Sequence, residues 1–415
     1  MPDAPPPSGL GYALRALRTR DYAIFWSGAL VSNSGTWLQG VAIPYVLFQL
    51  TGSATWVGLA TFATFLPIML LAPFGGVLAD RYSRKRVLLI GQSLAAVFAI
   101  ALWLVWSAGL ATPGWILVLT ALGGMAAGLT VPAWQAFVPT LVAPDDLPSA
   151  ITLNSVQFNA SRAIGPMVGG IVLAQYGAAL AFLLNAISFI AVFVALLLIG
   201  ARRVPPQGAT ARVVAGITEA LVYLRTRPGI TLSILVAVMV GFLGYPIVQF
   251  TVVFAEDIYG VGPEALGYLL GALGLGAILV APWVAGAFGD ITPSSVVRLS
   301  LPVYASAIIA FGLSRTYVFG LLAAVVVGGG FLALIATTNT ATQILVDEHM
   351  RGRVLALRVM AFTGSYPIGG LLQGWLADVF SAPAVVTTAG VLLLVIWLWA
   401  RRQTRALARL DERPA

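Results

Sequence analysis

Two arginines stand inside long apolar runs, where a charge is costly and is kept for a purpose. Arg162 lies about 11 residues into the run 151–174, roughly 16 Å along a helix, too deep for its head to reach water. It reads either as a pathway residue that meets a ligand or as half of a buried ion pair. Arg358 lies about five residues inside the run 354–379, where its stem can snorkel and carry the guanidinium to the inner interface. A pathway role is its second reading. No acidic side chain falls near the middle of an apolar run: Asp21 and Asp80 sit at the inner edge, and Glu256, Asp257 and Asp378 at the outer one. An interior with cations and no deep carboxylate favours neutral or anionic molecules, or molecules offering carbonyl and carboxylate oxygens to Arg162. If a proton is to be carried, Asp80, Asp257 or Asp378 must carry it, or the bound molecule itself must change protonation.

Other chemistries lack their parts. There is no cysteine, hence no disulfide, thiolate metal site or iron–sulfur cluster. The one lysine, Lys85, sits in Ser83-Arg84-Lys85-Arg86 and not in a phosphate-cradling loop. Gly274-Leu275-Gly276 lacks the third glycine of a dinucleotide fingerprint, since position 279 is Leu. The one histidine, His349, lies between Asp347-Glu348 and Arg351 and reads as a solvated loop residue more readily than as a pH sensor. With no metal-ligand cluster and no nucleophile–base pair, neither an enzyme, a metal nor a cofactor is expected.

The elements that must hold these residues are apolar. Of 415 residues, 59% are hydrophobic and 9% charged, whereas a soluble domain carries about 25% charged residues. Blocks long enough to cross hydrocarbon as helices fall at 23–50, 56–79, 87–106, 115–138, 151–174, 180–199, 230–254, 265–288, 296–314, 317–345, 354–379 and 383–400. With both termini inside, twenty of the 23 basic residues fall in inner segments, leaving Arg315 outside and Arg162 and Arg358 within spans. The formal charge of +8 is then a topology signal, and no nucleic acid is expected. The first block is too long for a signal-peptide core and stays as a span. Tail residues Arg401, Arg405, Arg409 and Arg413 share a helical face that suits anionic headgroups.

The longest polar stretch lies near the middle. The expected domains are a cytoplasmic N-terminal segment 1–22, a six-helix bundle 23–199, a cytoplasmic linker with an interfacial helix 200–229, a second six-helix bundle 230–400 and a basic cytoplasmic tail 401–415. The halves echo each other. Ala72-Pro73, Gly76 and Asp80 return as Ala281-Pro282, Gly286 and Asp290, and Pro166-Met167-Val168-Gly169-Gly170 as Pro367-Ile368-Gly369-Gly370.

Asp80 ends its helix, where the macrodipole disfavours an anion, so a cationic partner or another helix's N-terminus is expected nearby. Arg81 and Arg84 are the local candidates. Gly76-Val77-Leu78-Ala79-Asp80-Arg81-Tyr82-Ser83-Arg84-Lys85 resembles the loop signature of the major facilitator superfamily, with Ser83 where that family usually has glycine. The resemblance implies a cytoplasmic gate of Gly76, Asp80, Arg81, Arg84 and Lys85, joined by Asp290 from the second copy. Gly165, Pro166, Gly169 and Gly170 resemble the exporter-branch motif, in which small residues let helices approach closely. Together with Leu141-Val142-Ala143-Pro144-Asp145-Asp146-Leu147, Asn154-Ser155, Arg162 and Arg351-Gly352-Arg353-Val354, the chain resembles the twelve-helix drug and metabolite exporters that include bacterial macrolide and enterobactin exporters. One departure stands out: Gly35 is followed by Thr36, where that branch often has an acid.

The resemblance implies an all-α membrane fold of two pseudo-symmetric six-helix bundles, with cytoplasmic termini. It implies a substrate path lined by Asn33, Thr36, Gln39, Gln135, Tyr245, Gln249, Thr337, Thr338, Asn339 and Gln343. Asn154, Gln157 and Arg162 join from the fifth span and Arg358 from the eleventh. Polar side chains also glue membrane helices, so the set is informative where a single member is not. Trp37, Trp56, Phe62, Phe65, Trp134 and Phe242 either stack on a planar substrate or form membrane belts. The implied function is export of a small amphiphilic drug, siderophore or other metabolite by alternating access, with protons as the coupling ion. An uptake permease or lysolipid flippase is the alternative, and a transport-inactive sensor or membrane enzyme a distant third. The expected partners are a small molecule and membrane lipids, the expected state a monomer, and the expected site the cytoplasmic membrane of a bacterium.

Overall fold

The computed structural model describes residues 14–200, 213–284 and 292–412. Gly286 and Asp290, the polar run 201–212 that opens the linker, and the Pro-rich start lie outside the described residues. Within them every regular element is helical. The helices are α1 (Arg20–Thr51), α2 (Ala54–Arg81), α3 (Arg84–Ser107), α4 (Pro113–Phe137), α5 (Leu147–Leu198), α6 (Val213–Arg225), α7 (Pro228–Met239), α8 (Ile247–Val253), α9 (Pro263–Val284), α10 (Pro293–Leu313), α11 (Tyr317–Leu345), α12 (Glu348–Val379), α13 (Ala382–Arg402) and α14 (Thr404–Leu410). Among the described residues, ten helical segments are long and apolar enough to cross a membrane.

Local sequence explains the breaks. The 52 residues of α5 are divided at Gly177, whose φ of 79° and ψ of 177° are closed to side-chain-bearing residues. The segment Pro228–Ile258 carries two π turns, Val240–Gly244 and Phe254–Ile258. Pro246 follows the first turn and has no N–H to offer the carbonyl of Phe242. Gln373 Nε2 donates to that carbonyl instead, at 2.7 Å.

Two compact units result, one from Met1–Ala42 and Leu70–Thr210, the other from Ile43–Met69 and Ala211–Ala415. In the first, α1 lies along α5 at backbone range. A Cβ added to Gly165 would meet Trp37 Cβ at 2.5 Å and Ser34 O at 3.0 Å, and one on Gly169 would meet Leu38 O at 3.1 Å. Below this contact Tyr22, Phe25, Leu88, Phe137, Leu153 and Leu196 form an apolar core.

The second unit repeats the device. Gly369 leaves room for the carbonyl of Phe242, and Gly370 and Gly374 pack against the start of α2 at Gly58 and Ala54. Helix α6 docks on the same unit through Ala220, Leu224, Val346, Met350 and Val354. Arg353–Glu219 at 2.8 Å and Arg227–Asp347 at 2.6 Å border that contact.

Helix α12 starts at Glu348, six residues before the apolar block that announces it. Arg351, Gly352 and Arg353 are helical, and Arg358 lies roughly 15 Å from the helix start at 1.5 Å per residue. This overturns the snorkelling expected of Arg358, which is buried at 3% exposure.

Candidate functional site

In the first unit a polar seam runs along α1 and α5. Tyr22 donates to Ala150 O (2.8 Å) and Trp26 Nε1 to Leu153 O (2.9 Å). Deeper, Asn33 Nδ2 donates to Gln157 Oε1 (3.2 Å), and Gln157 Nε2 donates to Ala29 O (3.1 Å) and Ser161 Oγ (3.2 Å). Ser34 and Ser161 share a further bond at 3.2 Å. Gln39 Oε1 accepts from Asn185 Nδ2 at 2.6 Å. Buried amides pay for desolvation unless each polar atom is met, and Gln157 and Asn185, both 1% exposed, meet this demand across helices. Arg162 is half-buried, with its guanidinium 5.9 Å from the centre of the Trp37 ring, a cation–π distance. Thr36, exposed, bonds to its own helix at Ser32 O (3.0 Å), while Gln135 is exposed and Asn154 half-buried.

The second unit holds the other cation. Arg358 Nη1 donates to Asn339 Oδ1 at 2.9 Å, and Nη2 reaches Thr338 Oγ1 at 3.2 Å and Ile335 O at 3.3 Å. Its Nε–H is buried and meets no acceptor. One and two turns further along α12 come Phe362 and Tyr366. Tyr366 stacks on Tyr245 at 4.0 Å with planes 14° apart, and Phe362 lies 4.6 Å from Tyr366. Phe331 of α11 pairs with Phe362 at 6.4 Å and with Tyr245 at 5.8 Å, and Phe65 of α2 closes on Tyr366 at 5.8 Å. Gln249 is half-buried and Gln343 exposed.

At one end of this unit, Asp378 serves as the cap of α2. Its carboxylate accepts from Ala54 N (2.6 Å), Thr55 N (3.0 Å), and the hydroxyls of Ser53 and Thr55 (2.5 Å each). Nearby in kind, Gln49 Nε2 donates to Glu256 Oε2 at 2.6 Å.

The Asp80 motif is arranged differently from expectation. Asp80 and Arg81 are exposed, and Asp80 makes no ion pair with Arg81 or Arg84 among the described residues. Arg84 Nη1 donates to Ala136 O (2.9 Å), and Lys85 Nζ to Ile199 O (2.7 Å), so these cations satisfy helix C-terminal carbonyls. A Cβ on Gly76 would enter open space.

Sequence reasoning missed Asn185, Phe331, Phe362, Tyr366, the Gln49–Glu256 bond and the cap by Asp378. The spacing of Arg358, Phe362 and Tyr366 at i, i+4 and i+8 was the available signal for one helical face.

A helical membrane chain with charges and amides held inside its seams has the makings of a transporter. The chain matches the transmembrane secretion effector family over residues 12–414 and belongs to that family of major facilitator transporters. It is 25% identical to the staphyloferrin A transporter of Staphylococcus aureus (strain NCTC 8325 / PS 47) over 379 residues, covering 90% of this chain and 93% of that protein. It is 28% identical to the enterobactin exporter EntS of Escherichia coli O1:K1 / APEC, covering 86% of each. Its fold is that of a bacterial homolog of the human lysosomal transporter Spinster, solved inward-facing and occupied (TM-score 0.75, 14% identity, 98% of this chain and 100% of that one). A peptide transporter in complex with sulfate is similar too (TM-score 0.77, 16% identity, 98% and 97%). The protein is thus a multi-pass membrane transporter of bacterial type.

Proposed function

We propose that the protein exports a small amphiphilic molecule across the bacterial cytoplasmic membrane by alternating access. The observation that carries this reading is the match, over 86% of the chain, to a relative named as an exporter. Counting α1 and both parts of α5, the chain makes twelve crossings in two six-helix bundles, 23–199 and 230–400, with both termini cytoplasmic. The linker helix α6 lies on the inner surface. Neutral or anionic cargo is favoured, because the deep charges are cations. Asn33, Gln39 and Gln157 of the first bundle and Tyr245, Asn339 and Arg358 of the second contribute to the path. Thr36, Gln135, Asn154, Arg162, Gln249 and Gln343 belong to the same set. Gly76, Asp80, Arg81, Arg84, Lys85 and Asp290 act as the inner gate. Protons drive the exchange.

Export is tested by loading cells that lack other pumps with candidate metabolites and following efflux with and without the protein. Inside-out vesicles give the direction. Accumulation in those vesicles on imposing a proton gradient is the expected result; uptake by right-side-out cells would make the protein a permease.

A further inference from the structure

A buried guanidinium with no carboxylate is out of balance. Removing a cation from water is costly, and proteins offset this with an opposite charge. Arg358 is 3% exposed, and its partners are an amide, a hydroxyl and a backbone carbonyl, all neutral. No acidic side chain pairs with it among the described residues, and the Nε–H on one edge of its fork has no acceptor at all. Arg162 differs, since it is half-buried and engaged by Trp37.

What lies beside Arg358 narrows the missing partner. Along α12 the face continues through Phe362 to Tyr366, and along α11 from Asn339 back to Phe331. The seam between these helices is therefore cationic at one end and aromatic at the other, over roughly 12 Å for eight helical residues. Phe331, Asn339 and Phe362 are half-buried along it.

Resting on the exporter reading above, we propose that the α11–α12 seam binds an organic anion with an aromatic body, its acidic oxygens held by the fork of Arg358 and its ring by Phe331 and Phe362. A carboxylate bonded to Nε and Nη2 would supply both the missing charge and the missing acceptor. Arg358 then sets the preference for anions.

The test is equilibrium binding of radiolabelled naphthoate and its neutral isostere naphthalenemethanol to the full chain in phosphatidylcholine nanodiscs. The wild type is expected to prefer naphthoate by about tenfold or more, the worth of one charge-assisted fork. Arg358→Gln should bind both probes alike, while Arg315→Gln, at an exposed arginine outside the path, keeps the preference. Arg358→Lys retains charge without the planar fork and should lower the preference severalfold. An unchanged preference in Arg358→Lys overturns the proposal even where Arg358→Gln does not fold, and so does a wild type that treats the two probes equally. Displacement of naphthoate by added phosphatidylglycerol would assign the seam to a lipid headgroup and likewise overturn it. Pumping in inside-out vesicles is scored separately: discrimination without pumping refutes the exporter, and pumping without discrimination refutes the seam.

Discussion

At the scale of single residues, the cost of an unmet polar atom governs most of what is seen. Asp378 meets two backbone N–H groups and two hydroxyls at the start of α2. Removing a helix N-cap of this kind costs about 0.5–2 kcal/mol. Asp378→Ala should therefore lower the thermal unfolding temperature and raise the rate at which a cysteine placed at Gln49 reacts with a maleimide. Unchanged labelling would show that the cap holds nothing shut. The residue types were legible in the sequence, since Asp378, Gln157 and Arg358 announce themselves as polar within apolar runs. Their partners were not, because Ser53 and Asp378 lie 325 residues apart and no local pattern joins them. Arg358 was misplaced for a plain reason. Hydropathy marks where a helix enters hydrocarbon, whereas α12 begins earlier, in polar sequence that hydropathy cannot distinguish from a loop.

At the scale of elements, apolar run length was a good guide, because unsatisfied backbone groups in lipid leave the helix as the only open choice. The division near 174–180 was legible from its punctuation, and the structure sets it at Gly177. Gly177→Ala is expected to cost about 1–3 kcal/mol, since this backbone region is closed to a Cβ. Thermal unfolding of the variant in detergent measures it, and a shift of zero would mean that α5 relaxes around the substitution. Neither π turn was legible: an i to i+5 bond leaves no mark on composition, and only Pro246 hinted at the first. The pairing of α1 with α5 through Gly165 and Gly169 has its match at Gly369 against Phe242, so the internal repeat of sequence is also a repeat of contacts.

At the scale of the whole molecule, charge decides orientation more than stability. The exposed pairs Arg353–Glu219 and Arg227–Asp347 are worth about 0–1 kcal/mol each. The apolar contact of Leu224, Met350 and Val354 does more to hold α6 in place. Orientation itself can be read without background, because the chain has no cysteine. With Arg315→Cys and His349→Cys made singly, an impermeant maleimide added to intact cells should label the first and spare the second. The reverse pattern would turn the proposed topology over. Membrane class and family were legible from composition and motifs together; the cargo was not, because its shape is recorded in how side chains from distant spans meet.

The second unit takes in Ile43–Met69 although residues 70–210 intervene before its remaining sequence begins. During synthesis, the stretch that holds Gly58 and Phe65 leaves the ribosome long before α12 exists to receive it. Those surfaces must wait in lipid, loosely kept, until the last third of the chain arrives. Splitting the gene at the linker would thus yield a C-terminal fragment with a gap in its wall, and its recovery should depend on supplying the N-terminal fragment in the same cell.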